Sequence, residues 1–260
     1  MSVTVLIPCK NEEEIISQTI SLIQVKLLET DYEILVVDDF SEDLTFEIVT
    51  KMSKNDNKIR IIKNKNLGGL GEAIRNGIEN SSKDFICFFM ADQSDSVDDL
   101  VSYIDIISKN NFQAVLGSRF VTNSSVHNYP YKKLVLNRFF NKLVQLLFLS
   151  RYNDFTNAFK IYEKKTLMSI YPLVSENFNI FLEIPLKIVY RGYNYKVIPI
   201  SWNNRKSGNA KFKIRELGSK YFFTLFCKQA LNKLVLIKTE SIHSALLFSI
   251  KPMPPMLQAM

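Results

Sequence analysis

Two spacings of apolar residues alternate along the first half of the chain. Residues 3–7 and 34–37 are compact apolar runs, closed by Pro8 and by the pair Asp38-Asp39, and residues 12–28 between them carry apolar side chains at roughly helical intervals. That pattern predicts strand, helix, strand. Runs with no regular polar alternate belong to strands covered on both faces, which favours a parallel sheet. The rhythm continues with a helix over 41–52, a strand over 59–62, a helix over 71–80 and a strand over 85–90. A helix over 98–108 and a strand over 114–117 complete it, so an α/β domain with a mostly parallel central sheet is expected to about Arg119.

The second half is less regular. Residues 121–131 are rich in Asn, Ser, His and Pro and read as a loop. Residues 134–149, LVLNRFFNKLVQLLFL, are strongly apolar but carry Arg138 and Lys142, four residues apart and so on one face of a helix. Helical patches follow over 164–170 and 181–190, then a strand over 195–200 and the basic segment WNNRKSGNAKFK. Residues 214–237 are apolar and basic by turns, and KPMPPMLQAM reads as an irregular tail. No basic N-terminal segment leads into a long apolar stretch, so no signal peptide is expected. No apolar run reaches bilayer-spanning length, although several shorter ones can lie on a membrane.

With 260 residues the chain can bury one substantial core, and 47% hydrophobic with 23% charged residues excludes a disordered or fibrous protein. The formal charge of +7 fits a nucleotide, a phospholipid surface or a nucleic acid without choosing among them. Nucleic acid is disfavoured, because the basic residues gather in no single arm or recognition-type helix and no zinc-finger spacing occurs. Cys9, Cys87 and Cys227 have neither metal-ligand nor disulfide spacing and read as reduced residues.

Candidate chemistry sits at the strand ends. Asp38 and Asp39 close a parallel strand, where open α/β sheets place their ligands, and a carboxylate there can accept from a base N–H or a ribose hydroxyl. The alternative is a pair of turn acids ahead of a helix cap at Ser41. MADQSD follows the run FICFFM and puts Asp92 at a second strand end. A hard divalent cation on carboxylate oxygens offsets the charge of a leaving diphosphate, with phosphate oxygens filling most of its shell. Asp92 is the preferred ligand; Asp95 and Asp98 read equally as surface acids. Gly68, Gly69 and Gly71 match neither a phosphate loop nor a dinucleotide fingerprint, and they serve either a ligand's approach or a tight turn. Arg75 and Arg119 suit a diphosphate or an ordinary ion pair. Arg205, Lys206, Lys211 and Lys213 around Gly208 form a basic loop, which can close over a diphosphate or stand exposed.

Taken in order, VTVLIPCKNEEEII, EILVVDDFSEDLT, NLGGLGEAIRNGI, FFMADQSD, GSRF, DFTNAFKIY and WNNRKSGNAKFK resemble the inverting GT-A glycosyltransferase family 2, in its dolichol-phosphate mannose synthase-like branch. The resemblance runs over residues 3–213 and implies the GT-A nucleotide-diphospho-sugar transferase fold, with 214–260 as a C-terminal extension. By it, Pro8, Asn11, Glu12 and Asp38 line the pocket of a UDP-sugar or GDP-sugar, with Asp39 close by and Gly71 on the same side. Asp92 holds Mg²⁺ or Mn²⁺ with Gln93 contributing, and Arg119 and Arg205 serve donor or acceptor phosphates, assisted by Lys211.

The acceptor in that branch is a polyprenyl phosphate of dolichyl or undecaprenyl type, whose oxygen is already anionic near neutral pH and needs no strong base. Asp154 and Glu183 match positions where the family carries acids, on the acceptor side. Residues 134–149 fall where relatives place an interface helix, its apolar face entering the lipid boundary while Arg138 and Lys142 meet anionic headgroups. A buried helix contact would account for the same residues. The implied protein is cytoplasmic and peripheral to the membrane, with room for a homo-oligomer or a membrane protein partner. Two other outcomes stay open: a saccharide or small-alcohol acceptor in envelope glycan synthesis, and a silent nucleotide-sugar-binding scaffold. The latter gains from Met90, which stands where the family usually has the first Asp of an Asp-x-Asp metal motif. Asn157-Ala158 likewise replaces the usual Ser-Gly before Phe159.

Overall fold

A computed structural model describes residues 1–66 and 68–204. Arg205, Lys206, Gly208, Lys211, Lys213, Cys227 and the extension from 214 onward lie outside the described residues. The first half follows the expected alternation: β1 (Ser2–Cys9), α1 (Ile16–Lys26), β2 (Asp31–Asp38), α2 (Thr45–Asn55), β3 (Ile59–Lys63), α3 (Leu70–Asn80), β4 (Phe85–Phe88), α4 (Val97–Lys109) and β5 (Ala114–Ser118). The second half adds β6 (Ser125–His127), α5 (Tyr131–Phe148), β7 (Lys160–Glu163), α6 (Lys164–Ser169), α7 (Ile180–Tyr190), β8 (Tyr195–Pro199) and β9 (Ser201–Asn203).

The main sheet has the order β3-β2-β1-β4-β7-β5-β8. Every neighbouring pair is parallel except those of β7, which runs antiparallel to both β4 and β5. A second sheet pairs β6 with β9 in parallel. Three strands therefore depart from the sequence expectation. β6 lies inside the stretch 121–131 read as a loop, and β7 and β9 are not foreseen. Each has only three or four residues, too few to set up a period. β7 also opens on Lys160, which is 1% exposed; its ammonium donates to the carbonyls of Phe155 and Asn157. Burial pushes the Lys160 amine down to about 7, with Asp154 opposing that shift.

The central strands are apolar because both faces are covered: Val3, Val5, Leu6, Ile7, Ile34, Leu35, Val36 and Val37 are all fully buried. Burying such a side chain contributes roughly 1.5–3 kcal/mol, so β1 and β2 carry much of the stability. Aromatic rings fill part of this core. Phe89 meets Phe159 edge-on at 5.5 Å, and Tyr103 lies 4.5 Å from Phe159 while donating its hydroxyl to the Phe159 carbonyl. No described helix is long and apolar enough to cross a membrane.

The buried part of β2 also holds an acid. Glu33 of β2 is 4% exposed and accepts from the Thr4 hydroxyl at 2.6 Å, from the Ser82 amide and from Arg60 at 2.8 Å. Burial works to raise its pKa, but the Ser82, Thr4 and Arg60 donors together hold it below the ordinary 4.5. A carboxyl depressed on folding contributes stability above its unfolded pKa and loses it as pH falls through the folded value. Denaturation between pH 3 and 6 should therefore show an acid limb that Glu33→Gln lacks. At pH 7 that variant should be less stable by about 1.5–3 kcal/mol, the worth of a hydrogen-bonded charged group.

Candidate active site

β1, β2 and β4 are parallel neighbours, so their C-terminal ends open on one edge of the sheet. Pro8 and Cys9 end β1 beside Val37 and Asp38 of β2. The loops that follow are laced together. Asn11, at φ 50°, donates its amide to Ser41 Oγ at 2.9 Å and accepts the Glu42 amide on Oδ1 at 2.8 Å. The Glu12 amide donates to Thr45 Oγ1 at 2.8 Å, and Glu13 and Asp43 exchange comparable bonds with Asp43, Leu44 and Thr45. Burial opposes ionisation of Asp43, yet the Thr45 hydroxyl and amide and the Glu13 amide hold its carboxyl below the ordinary range. Ser41, Asp43 and Thr45 thus belong to the site as its braces. The signal in FSEDLT, polar residues just ahead of a helix, pointed to a cap rather than to this loop-to-loop lacing.

Asp38 differs from its neighbours. It is 3% exposed, and its Oδ2 accepts the Ser41 amide at 3.3 Å while its Oδ1 is buried with no partner. A buried polar atom without a partner requires a reason, and a ligand donor is one. Beside it lies a cavity of about 280 Å³ lined by Asp38, Phe40, Ser41, Phe46 and Lys63, with the glutamates 42 and 47 at its wall. The Lys63 ammonium sits 4.7 Å from the Phe46 ring centre. A planar base with an N–H and carbonyls on its edge suits such a lining.

Asp39 ties the next loop through one of its oxygens. Its Oδ1 accepts the Asn64 side-chain amide and the Gly69 amide, both at 2.7 Å. Gly69 has φ 103° and ψ 150°, a region essentially confined to glycine. Gly71, expected on the donor side, is a packing residue: a Cβ there would lie 2.0 Å from the Ser175 carbonyl oxygen, and the Gly71 amide donates to Glu176 O at 2.8 Å. Arg75 resolves as an ordinary ion pair, with Glu72 at 2.6 Å, and donates to the carbonyls of Leu173 and Ser175. Glu183, expected on the acceptor side, is fully buried and accepts the amides of Val174 and Ser175, with Lys187 at 2.8 Å. It holds the segment that Gly71 packs against.

From β4 the chain passes through buried Phe89 and Ala91 to Asp92, whose Oδ1 accepts the Ser94 amide at 3.1 Å. Thr19 fixes this turn by donating to Ala91 O at 2.8 Å. Gln93 stands at φ 56°, and its Nε2 is buried with no partner. Asp95 is 6% exposed and accepts the Met90 amide on Oδ2 at 3.4 Å. Burial, with the charge of Asp92 adding to it, pushes the Asp95 carboxyl up to about 7 against the Met90 amide and Arg119. Among the described residues no three His, Cys, Asp or Glu side chains converge as a ligand set. The hard oxygens of Asp92 and its neighbours nevertheless fit Mg²⁺ or Mn²⁺ completed by phosphates, whereas the Met90 thioether does not.

Arg119 follows β5 and is 8% exposed. Its fork clasps Asp154, Nε at 2.8 Å and NH2 at 2.7 Å, and its backbone amide donates to the same carboxylate at 2.9 Å. Burial alone would lower the guanidinium pKa, but Asp154 overrides it and raises the value above the ordinary one. Asp154, expected as an acceptor-side acid, is therefore the fully buried holder of Arg119. The rings of Phe120, Tyr129 and Trp202 lie 5.3, 5.8 and 5.9 Å from the guanidinium carbon. Trp202 also bridges to Asp95, and the Asn203 amide donates to Ser94 O at 3.0 Å, so β9 joins the Asp92–Asp95 turn to Arg119.

α5 is tied to the same group. Asn137 and Asn141 donate to Thr156 Oγ1 at 2.9 and 3.0 Å, and Arg119 reaches that oxygen at 3.4 Å. Arg138 stacks over Phe120 at 5.2 Å. Away from these contacts the helix exposes Val135, Phe139 and Leu146, and Leu149 just beyond its end is 90% exposed. This stripe is not a buried helix contact within the described chain.

A family model described as glycosyl transferase family 2 matches residues 4–170. The chain is 29% identical over 217 residues to a dolichol-phosphate mannosyltransferase of Pyrococcus furiosus, an alignment covering 82% of this chain and 60% of that protein. It thus spans less than two thirds of that relative. A polyprenol monophosphomannose synthase of Mycolicibacterium smegmatis is 24% identical over 230 residues, 82% of this chain and 86% of the relative. Among solved structures, glucosyl-3-phosphoglycerate synthase from Mycobacterium tuberculosis, in complex with Mn²⁺, UDP and phosphoglyceric acid, superposes with a TM-score of 0.66. At 16% identity, over 87% of this chain and 78% of that one, the likeness is one of fold.

Proposed function

The chain belongs to glycosyl transferase family 2, and on that premise we propose that it transfers a sugar, with inversion, from a nucleotide-diphospho-sugar to a polyprenyl phosphate at the cytoplasmic membrane face. The observation that carries the acceptor is the layout of α5. Its outer side offers Val135, Phe139 and Leu146 to solvent, while Arg138 stacks on the ring next to Arg119. Cationic groups beside an exposed apolar stripe complement a molecule with a phosphate head and an apolar tail; a sugar acceptor would have no use for the stripe. The names of the two relatives point to the same acceptor class.

In this reading Asp38 Oδ1 accepts from the base, and the lacing of Asn11, Ser41 and Thr45 keeps the pocket in shape. Asp92 would hold a divalent cation, which supplies charge neutralisation on the departing diphosphate. Arg119, fixed by Asp154, and the basic residues Arg205 and Lys211 orient phosphate groups. The acceptor phosphate oxygen forms the new bond to the anomeric carbon as the bond to the donor diphosphate breaks. No proton has to be removed from that oxygen, which suits a site where Asp154 and Glu183 are engaged in structure.

Mass-resolved transfer tests this. Protein with Mg²⁺ or Mn²⁺, a mixture of UDP- and GDP-sugars and a polyprenyl phosphate in anionic vesicles should yield a glycosyl-phosphoprenol. Phe139→Glu with Leu146→Glu should reduce vesicle binding and lipid glycosylation together by about tenfold or more, since two apolar anchors are withdrawn from the boundary. Product formed on a saccharide instead of the lipid would overturn the acceptor, and nucleotide binding without product of either kind would favour a silent binder.

A further inference from the structure

Met90 withdraws one carboxylate from the turn after β4, and the same turn carries another acid that the family pattern does not foresee. Asp95 folds back so that its carboxylate meets the backbone amide of Met90 itself, at 3.4 Å. A carboxylate 6% exposed is costly unless paired, and a bond of that length satisfies it poorly. Arg119, whose charge acts on it, does not pair with it, because the Arg119 fork is closed on Asp154. Asp92 lies on the same turn, its Oδ1 accepting the Ser94 amide at 3.1 Å, and its charge opposes that of Asp95. The other acids nearby are engaged: Asp98 pairs with Lys26 at 2.6 Å on the surface, and Asp99 accepts the Ser201 amide at 2.6 Å. Gln93, between Asp92 and Asp95, keeps one end of its carboxamide buried without a partner. Two carboxylates on one turn, with a buried Gln93 donor beside them that suits a phosphate oxygen rather than a cation, describe a place shaped around a cation and the diphosphate it would carry.

We propose that Asp95 supplies the carboxylate that Met90 withdraws, so that a divalent cation is held between Asp92 and Asp95, three residues apart, in place of an Asp-x-Asp pair. The inference rests on the glycosyltransferase reading and deepens its metal site. One or two protein carboxylates with diphosphate oxygens filling the remaining positions is the usual shell of Mg²⁺, and Mn²⁺ accepts the same hard donors. Bringing a doubly positive ion between the two acids removes their repulsion, so the cost of burying Asp95 in the free protein becomes affinity in the bound one.

The test reads metal binding directly, through the electron paramagnetic resonance signal of free Mn²⁺ titrated with full-length protein in the presence of UDP or GDP. Asp95→Asn should weaken Mn²⁺ binding at least tenfold, as Asp92→Asn does, while Asp98→Asn leaves it unchanged. Met90→Asp placed in the Asp95→Asn background should restore it, and that gain also answers the objection that Asp95→Asn merely disturbs the turn. Unchanged Mn²⁺ affinity in Asp95→Asn, or no recovery with Met90→Asp, overturns the inference and leaves the transferase reading standing. Wild-type protein that binds nucleotide but no Mn²⁺ overturns the inference and the metal dependence of that reading together.

Discussion

Asp154→Ala is expected to destabilise the protein by about 3–5 kcal/mol, the cost of removing one member of a buried ion pair. The carboxylate is fully buried and takes three donors from a single residue, the backbone amide, Nε and NH2 of Arg119. Arg119 cannot discharge to relieve its burial, since a guanidinium stays protonated. Without Asp154 it would be left among Phe120, Tyr129 and Trp202, whose rings attract a cation but replace none of the hydrogen bonds. Lys160 would suffer too, because Asp154, ahead of Asp95, opposes the burial that pushes its amine down. Removing both partners should cost less than the sum: Asp154→Leu with Arg119→Met replaces the pair by apolar groups, for which buried sites are often tolerant. A double-mutant cycle by urea denaturation measures this. A single Asp154→Ala variant within about 1 kcal/mol of wild type would mean that Arg119 has found another partner.

The division between what is legible in the sequence and what is not follows from range. β1, β2, β4 and β5 are readable because each is a run of residues covered on both faces, and the helices between them carry their own period. β7 is not, since its first residue is a buried lysine satisfied by two carbonyls of the preceding turn. The site divides in the same way. That Asp38 closes β2 and that Asp92 follows β4 by four residues is legible, because a strand end is a local feature. The ring cluster around Arg119 draws on residues 120, 129 and 202, and no spacing rule links them. Gly71 stays ambiguous by sequence because its constraint is the backbone at 175–176, about a hundred residues away along the chain. Asp154 and Glu183 look alike as acids at family positions, yet one clasps a guanidinium and the other caps amides of a loop. Position along a motif identifies a residue type; only its partners fix what it does.

Asp38 offers the opposite balance of stability and function. Its Oδ1 is buried with no donor, so the unliganded protein bears the cost of an unsatisfied charged oxygen. Asp38→Asn removes that charge while an amide oxygen can still accept from Ser41. The variant should therefore be no less stable than wild type and is expected to melt at the same or a higher temperature. Nucleotide binding should move the other way. A hydrogen bond between a ligand N–H and a buried carboxylate is worth about 1.5–3 kcal/mol, so affinity should fall roughly 10- to 150-fold. Replacing the acceptor by an NH₂ group also sets donor against donor at the base edge. Isothermal titration with UDP and GDP, alongside thermal melts of the same samples, separates the two effects. Weaker binding with retained or raised stability identifies Asp38 as strain held for the ligand. Lost stability with unchanged affinity would instead return Asp38 to the part Asp39 plays, a brace of the loop, and the base would have to be sought elsewhere on the strand edge.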